Sequence, residues 1–194
     1  MADWGDPGVI RPLVLIGAIL AASPALGQGG LPASFHGDWQ GEELTVEDGS
    51  PDLKVTAEDL NVRIEANDSG FRMRWTALSR KGAGDPLARS EVEARFEPTD
   101  RPGVFAFDPE QSSMLLSLFG DPATSNPLEG EPLLWARLDG GTLSVYGLAV
   151  NPGGGFDLYQ HVRALTGEGM TVRHTHRTER EVLILKGRLV RAGG

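Results

Sequence analysis

The chain has 194 residues and a formal net charge of −9, with 27 acidic against 18 basic side chains. Since no cluster of lysine and arginine stands against that charge, we expect no binding to nucleic acid or to anionic membrane. The absence of cysteine excludes disulfides and a lipid-modified cysteine, so a folded domain must be stabilised by its core.

The amino-terminal stretch has the features of an export signal. Leu13 to Ala22 form an uncharged apolar core behind Arg11, and a small-x-small cleavage site ends at Gly27. A membrane-spanning helix needs about 20 apolar residues, and this core is shorter. We therefore predict a signal peptide over residues 1–27 and a single mature domain over residues 28–194. The mature domain is expected to be periplasmic or secreted, without a membrane anchor.

Alternation of apolar and polar side chains predicts strands in the first half of the mature chain. Residues 60–66 and 71–77 flank a turn of Asn, Asp, Ser and Gly, which predicts a β-hairpin. A third strand at 92–96 places acidic side chains opposite Arg72 and Arg74 if it pairs with the second. Such two-faced strands indicate an antiparallel sheet.

The same pattern continues to the end of the chain, with little helical periodicity. Further strands are predicted at 39–46, 104–108, 133–138, 142–150, 156–165, 170–178 and 181–190. The total is nine or ten strands. Because closure removes exposed sheet edges, we predict an all-β, antiparallel up-and-down barrel, with a β-sandwich as the alternative.

The segment Gly37-Asp38-Trp39-Gln40-Gly41 resembles the Gly-x-Trp that begins the first strand of lipocalins and other calycins. It is also similar to the Gly-x-Trp-x-Gly of small haem-binding barrels. The resemblance implies that Trp39 plugs the closed end of the barrel against a basic residue of the last strand, Arg188 or Arg191. It implies an architectural role for the tryptophan and no ligand role.

Short motifs across most of the mature chain resemble an uncharacterised family of exported proteobacterial proteins. They are Phe35-His36-Gly37, Asp59-Leu60-Asn61-Val62, Gly70-Phe71 with Trp75, Phe96-Glu97-Pro98-Thr99-Asp100-Arg101-Pro102, and Trp135-Ala136-Arg137 with Thr142-Leu143. The resemblance implies export and a barrel with this Gly-x-Trp start, and it brings no activity with it.

A long connection interrupts the strand pattern at residues 109–132. It is rich in Pro, Gly, Ser and Asn, yet Met114 to Phe119 in its middle are almost all apolar. Loops of this length often act as functional lids, and an apolar segment is costly to leave in water. We expect it to cover the barrel, close one end or meet an envelope protein partner, with simple packing as the alternative.

His174 and His176 have the spacing of metal ligands on one strand. With Glu181 and Gly187 the segment resembles the first metal motif of cupins, although its spacing differs by one residue and no second motif follows. The alternation along 156–165 places His161 with Arg163 on what reads as the polar face. A third ligand is therefore missing, and we predict no metal site.

The remaining catalytic signatures are absent, because there is no cysteine nucleophile and no Gly-x-Ser-x-Gly elbow. We predict a barrel that binds a small apolar or amphipathic ligand, more in keeping with a binding protein than an enzyme; the sequence assigns no cofactor. The predicted ligand-binding residues are Phe71, Met73, Trp75, Leu116, Phe119, His174 and His176. The alternatives are an envelope interaction protein that uses the 109–132 loop, and a metal-dependent enzyme that uses His174 and His176.

Overall fold

The computed structural model describes residues 30–48, 54–79, 88–108, 133–150 and 154–193. These residues form two short 3₁₀ turns, Ala33–Phe35 and Ala57–Leu60, and ten strands. The strands are β1 (Gly37–Asp48), β2 (Val62–Ala66), β3 (Phe71–Ser79), β4 (Ala88–Pro98), β5 (Val104–Asp108), β6 (Leu133–Asp139), β7 (Thr142–Val150), β8 (Phe156–Leu165), β9 (Met170–Thr178) and β10 (Val182–Arg191). No helix in the described ranges is long and apolar enough to cross a membrane. The predicted signal peptide and the 109–132 loop lie outside the described residues.

The ten strands form a closed antiparallel barrel. Each strand pairs with the next along the chain, and β10 pairs with β1 to complete the ring. Alternation drives this arrangement most clearly in β7, where Leu143, Val145, Gly147 and Ala149 are buried and the residues between them are partly exposed. The predicted up-and-down barrel is confirmed, and the sandwich alternative is wrong.

Charge pairs on the outer face match the predicted pairing of β3 with β4. Arg74 Nε donates to Glu93 Oε2 at 3.0 Å, and Arg72 Nε lies 3.6 Å from the other oxygen of the same carboxylate. These pairs are exposed to solvent and each contributes about 0–1 kcal/mol to stability. They identify the face of β3 and β4 that is exposed to solvent.

Trp39 closes the lower end of the barrel, where β1 begins. Its indole Nε1 donates to the Phe35 carbonyl at 2.9 Å, and the guanidinium of Arg191 lies over its ring, 4.4 Å from the centroid. The same guanidinium donates to the carbonyl oxygens of Ser34 and His36, at 2.8 and 2.6 Å. Arg191, rather than Arg188, is thus the basic partner that the Gly-x-Trp resemblance implied.

Aromatic side chains fill the lower half of the interior. Phe71 stacks on Phe96 with ring centroids 4.9 Å apart and meets Phe105 edge-on at 5.1 Å. All three are buried, together with Ile64 of β2 and Met73 of β3. Close packing of this kind makes the lower half a solid core.

The wall between β1 and β3 is completed by the Ala57–Leu60 turn. Because β2 is short, β1 pairs with it only from Gly37 to Trp39, and the turn packs against β1 beyond that point. A β-carbon at Gly41 would collide with the Ala57 carbonyl, and one at Gly187 would collide with the Leu60 side chain. Both glycines therefore let the turn lie against the sheet.

The structure differs from the sequence prediction at the start of the strand predicted over residues 60–66. Leu60 is buried but belongs to the 3₁₀ turn, so β2 begins at Val62. The strand ends at Ala66 as predicted, and that side chain is exposed. The hydrophobic alternation continued through a turn because that turn also inserts its last side chain into the core.

The two ends of the barrel differ in their connections. The turns at 67–70, 99–103, 140–141 and 166–169 join strands at the lower end, beside Trp39. The turn at 179–181 joins β9 to β10 at the upper end, where β1, β3, β5 and β7 also end.

Candidate functional site

The interior-facing side chains of β8 are polar. His161 and Arg163 are buried, with 9% and 2% of their surface exposed, and Tyr159 lies one inward position higher. The predicted alternation of these residues was right, but the face was misassigned, because the polar face of β8 points into the barrel. Leu158 and Val162, on the other face, are only partly buried.

The register of β8 and β9 brings the histidines together with this polar face. His161 pairs with His174, and their ring centroids are 4.3 Å apart. One step higher, Tyr159 stacks on His176 at 4.2 Å and 4°. His176 Nε2 is also 3.1 Å from Asp157 Oδ1, which anchors that ring at the upper end.

Burial keeps the two deeper histidines uncharged. Desolvation lowers the pKa of His174 to about 3, with smaller contributions from the charges of His176 and Arg163. Desolvation likewise lowers the pKa of His161 well below its usual range, helped by His174 and Arg163. Both are therefore neutral at pH 7, where a neutral imidazole offers one donor and one acceptor.

Arg163 is a buried cation with unpaired donors. Its Nε and Nη1 have no hydrogen-bond partner, and burial lowers its pKa to about 10. Both ring nitrogens of His174 and the indole Nε1 of Trp75 are also buried and unpaired. Most buried polar atoms in folded proteins have partners, so a concentration of unpaired ones marks this part of the interior.

Two small cavities lie beside these groups. The first has a volume of about 30 Å³, and its walls are mainly apolar and include Val92, Leu134 and Val145. The second, of about 10 Å³, is bordered by Arg163. Both share four wall residues, which are Trp75, Leu78, His161 and His174. The first therefore has room for one or two waters and the second for one at most.

A larger hollow of about 480 Å³ lies on the outside, over the Ala57–Leu60 turn. Its buried carboxylate, Asp59, is already paired with Arg89. Arg89 Nε and Nη2 donate to the two oxygens of Asp59 at 2.6 and 2.9 Å, and the backbone N of Thr56 donates to the same carboxylate at 2.8 Å. Burial acts to raise the pKa of Asp59, but these hydrogen bonds outweigh it and hold that pKa below its usual value. The hollow is a structural junction rather than a site with unmet polar groups.

The predicted ligand-binding residues separate into three groups. Trp75 and His174 line both cavities, and His176 lies just above them against Tyr159. Phe71 and Met73 belong to the packed core and line neither cavity. Leu116 and Phe119 lie outside the described residues.

Sequence reasoning did not include Tyr159, His161 and Arg163 in this site. A polar face on a strand normally marks the outside of a barrel, and nothing local distinguishes a polar interior. Nothing within β8 corrected the assignment, because the face that carries Leu158, Val162 and Ala164 is the more apolar of the two and yet lies outside.

No group of three or more His, Asp or Glu side chains within the part of the chain that the structure describes could hold a metal ion. His174 faces His161, whereas His176 turns to Tyr159 and Asp157. The described geometry thus gives the metal-dependent alternative no third ligand.

Comparisons with protein-family models, with curated proteins and with solved structures give no match.

Proposed function

We propose that this protein is an exported β-barrel that binds a small amphipathic molecule in the upper half of its interior, without catalysing a reaction. The observation that carries the proposal is the meeting of two cavities at Trp75, His161 and His174, next to buried polar atoms that lack partners. Small-molecule sites combine apolar walls with a few converging polar groups, and these cavities have that lining although each holds no more than one or two waters.

The energetics of the unpaired atoms favour a ligand. A buried donor or acceptor without a partner costs about 1–3 kcal/mol, and the interior holds several around one site. A packed core with no binding role would be more stable with apolar side chains at these positions. An amphipathic ligand would satisfy the polar atoms and cover the apolar wall at the same time.

The size of the cavities limits how such a ligand enters. The lower end is sealed by Trp39 and the aromatic core, so access is from the upper end. A molecule larger than a few waters requires movement of Trp75 or Leu78, which separate the two cavities. Binding should therefore change the environment of Trp75.

Export and kinship form a further part of this proposal. The apolar run from Leu13 to Ala22 and the cleavage site at Gly27 support a periplasmic or secreted location. The closed barrel and the contact of Trp39 with Arg191 support kinship with calycin-like exported proteins.

Native mass spectrometry of the protein purified from its own periplasm tests the proposal. We expect a bound molecule of small mass that is lost on denaturation. A Gly147→Val variant is the matched comparison, because Gly147 lines the first cavity and a larger side chain there would fill it. That variant should fold and purify without the ligand.

The opposite result would be a wild-type protein that purifies empty and shows no change on incubation with periplasmic extract. A stoichiometric protein partner found by cross-linking in cells would instead favour an envelope interaction role.

A further inference from the structure

The charge inside the barrel indicates what kind of ligand it takes. We propose that the ligand is a small monocarboxylate with an apolar body, and that its carboxylate pairs with Arg163. This inference rests on the proposed function and names the ligand class for the same site.

The first argument is the position of Arg163. Its side chain is 2% exposed, lies inside the ring of strands, and borders the second cavity with Val172 and Leu185. Its Nε and Nη1 donors have no hydrogen-bond partner. A buried cation is strongly unfavourable unless it is paired and hydrogen-bonded. The interior therefore has a place for one negative charge.

The second argument is that the nearby carboxylates have other partners. Asp59 borders the same cavity, but both its oxygens receive hydrogen bonds from Arg89. Asp157 faces His176 at the upper end. Burial alone shifts the pKa of Arg163, and it does so downward, whereas a neighbouring carboxylate would raise it. The counter-charge must come from outside the described residues.

The third argument concerns the amount of charge. His161 and His174 are adjacent to the cavities and neutral, so they supply hydrogen bonds but no second positive charge. One guanidinium balances one carboxylate, whereas a phosphate-type dianion would leave a buried negative charge. The site thus matches a monoanion.

The fourth argument is the division of the interior. Arg163 borders only the second cavity, whereas Val92, Leu134 and Val145 border only the first. Trp75 and Leu78 border both, so a molecule across that junction would place its head at Arg163 and its body against the apolar wall. Amphipathic carboxylates have this shape.

The experiment compares acids with alcohols of equal length. The protein purified from the periplasm is titrated with butanoate, hexanoate and octanoate and with the corresponding primary alcohols. Binding is measured by calorimetry and by tryptophan fluorescence. We expect at least one acid to bind about 10- to 100-fold more tightly than its alcohol, the effect expected of a hydrogen-bonded charge. The preference should disappear in Arg163→Gln, which is expected to bind the alcohol as well as the wild type does.

Two further variants serve as controls for a folding defect. Arg163→Lys retains the charge and should keep most of the preference for acids. Arg173→Gln removes an exposed arginine from the neighbouring β9 and should change nothing. If Arg163→Gln does not fold, the comparison of acid with alcohol in the wild type, together with Arg163→Lys, still decides the question.

The inference is overturned if acids and alcohols bind equally, if no acid binds the wild type, or if Arg163→Gln leaves the affinity for acids within about twofold. An uncharged ligand in the native mass spectrum would overturn it and leave the proposed function standing. A protein that purifies empty and binds none of the probes would contradict both this inference and the proposed function.

Discussion

Arg191 lies over the ring of Trp39 and joins the last strand of the barrel to the first. The guanidinium carbon is 4.4 Å from the ring centroid, and two of its nitrogens donate to the carbonyl oxygens of Ser34 and His36. One side chain thus caps the lower end and holds the 3₁₀ turn that precedes β1.

Replacement of this arginine should destabilise the barrel more than replacement of its neighbour on the same strand. Arg191→Gln loses a cation–π contact and two charge-assisted hydrogen bonds, and we expect a loss of about 1–3 kcal/mol in the free energy of unfolding. Arg188→Gln loses surface ion pairs with Glu42 and Glu43 and should cost about 0–1 kcal/mol. Urea denaturation measures both. Equal losses would show that the contact with Trp39 contributes little.

Two glycines of the sheet should respond differently to the same substitution. Gly41→Ala places a β-carbon against the Ala57 carbonyl, so the turn that completes the wall must shift, and we expect a loss of about 1–3 kcal/mol. At Gly147 the nearest atom to an added β-carbon is Tyr159 Cβ at 3.7 Å, an ordinary contact. Gly147→Ala should therefore be neutral or stabilising by about 0.5–1 kcal/mol. Thermal or urea unfolding distinguishes them, and a neutral Gly41→Ala would contradict the close approach of the turn.

The predicted signal peptide has a testable consequence at the amino terminus of the mature protein. Expressed in full in a Gram-negative host, the chain should appear in the periplasm with Gln28 as its first residue, as measured by fractionation and intact mass. Leu15→Arg interrupts the apolar core and should leave the uncleaved chain inside the cell. Asp6→Asn leaves that core intact and serves as the control. A wild-type chain that remains uncleaved in the cytoplasm would refute the signal.

Local alternation was sufficient to predict most of the fold. In β3, Phe71, Met73 and Trp75 are buried as predicted, and the pairing of Arg74 with Glu93 follows from the same alternation. Each of these strands has one apolar and one charged face, so the sequence itself distinguishes inside from outside.

The site was harder to predict because its residues break that rule. The side chains of β8 alternate as expected, yet the face that carries His161 and Arg163 points inward. The contact between His161 and His174 depends on the register of β8 against β9, which no local pattern defines. Sequence reasoning found His174 through its spacing from His176 and placed its partner on the wrong side of the barrel wall.

The two buried histidines make the stability of the barrel depend on pH. The pKa values of His161 and His174 are lowered chiefly by burial, from an unfolded value near 6.5. Below that pH the unfolded chain binds protons that the folded chain does not, so stability is fully present above about pH 6.5 and is lost as the pH falls toward 3. Between pH 7 and pH 5 we expect each histidine to contribute a loss of about 2 kcal/mol.

A double variant isolates this effect. In His161→Phe with His174→Phe the slope of unfolding free energy against pH should decrease strongly between pH 7 and 5, as measured by urea denaturation at several pH values. Val145→Ala removes two methyl groups from the core and no titrating group. Its plot of unfolding free energy against pH should therefore run parallel to that of the wild type. Any dependence due to His36, whose pKa is also lowered by burial, is common to all three proteins. A slope unchanged in the double variant would mean that the two imidazoles titrate normally and are in contact with water.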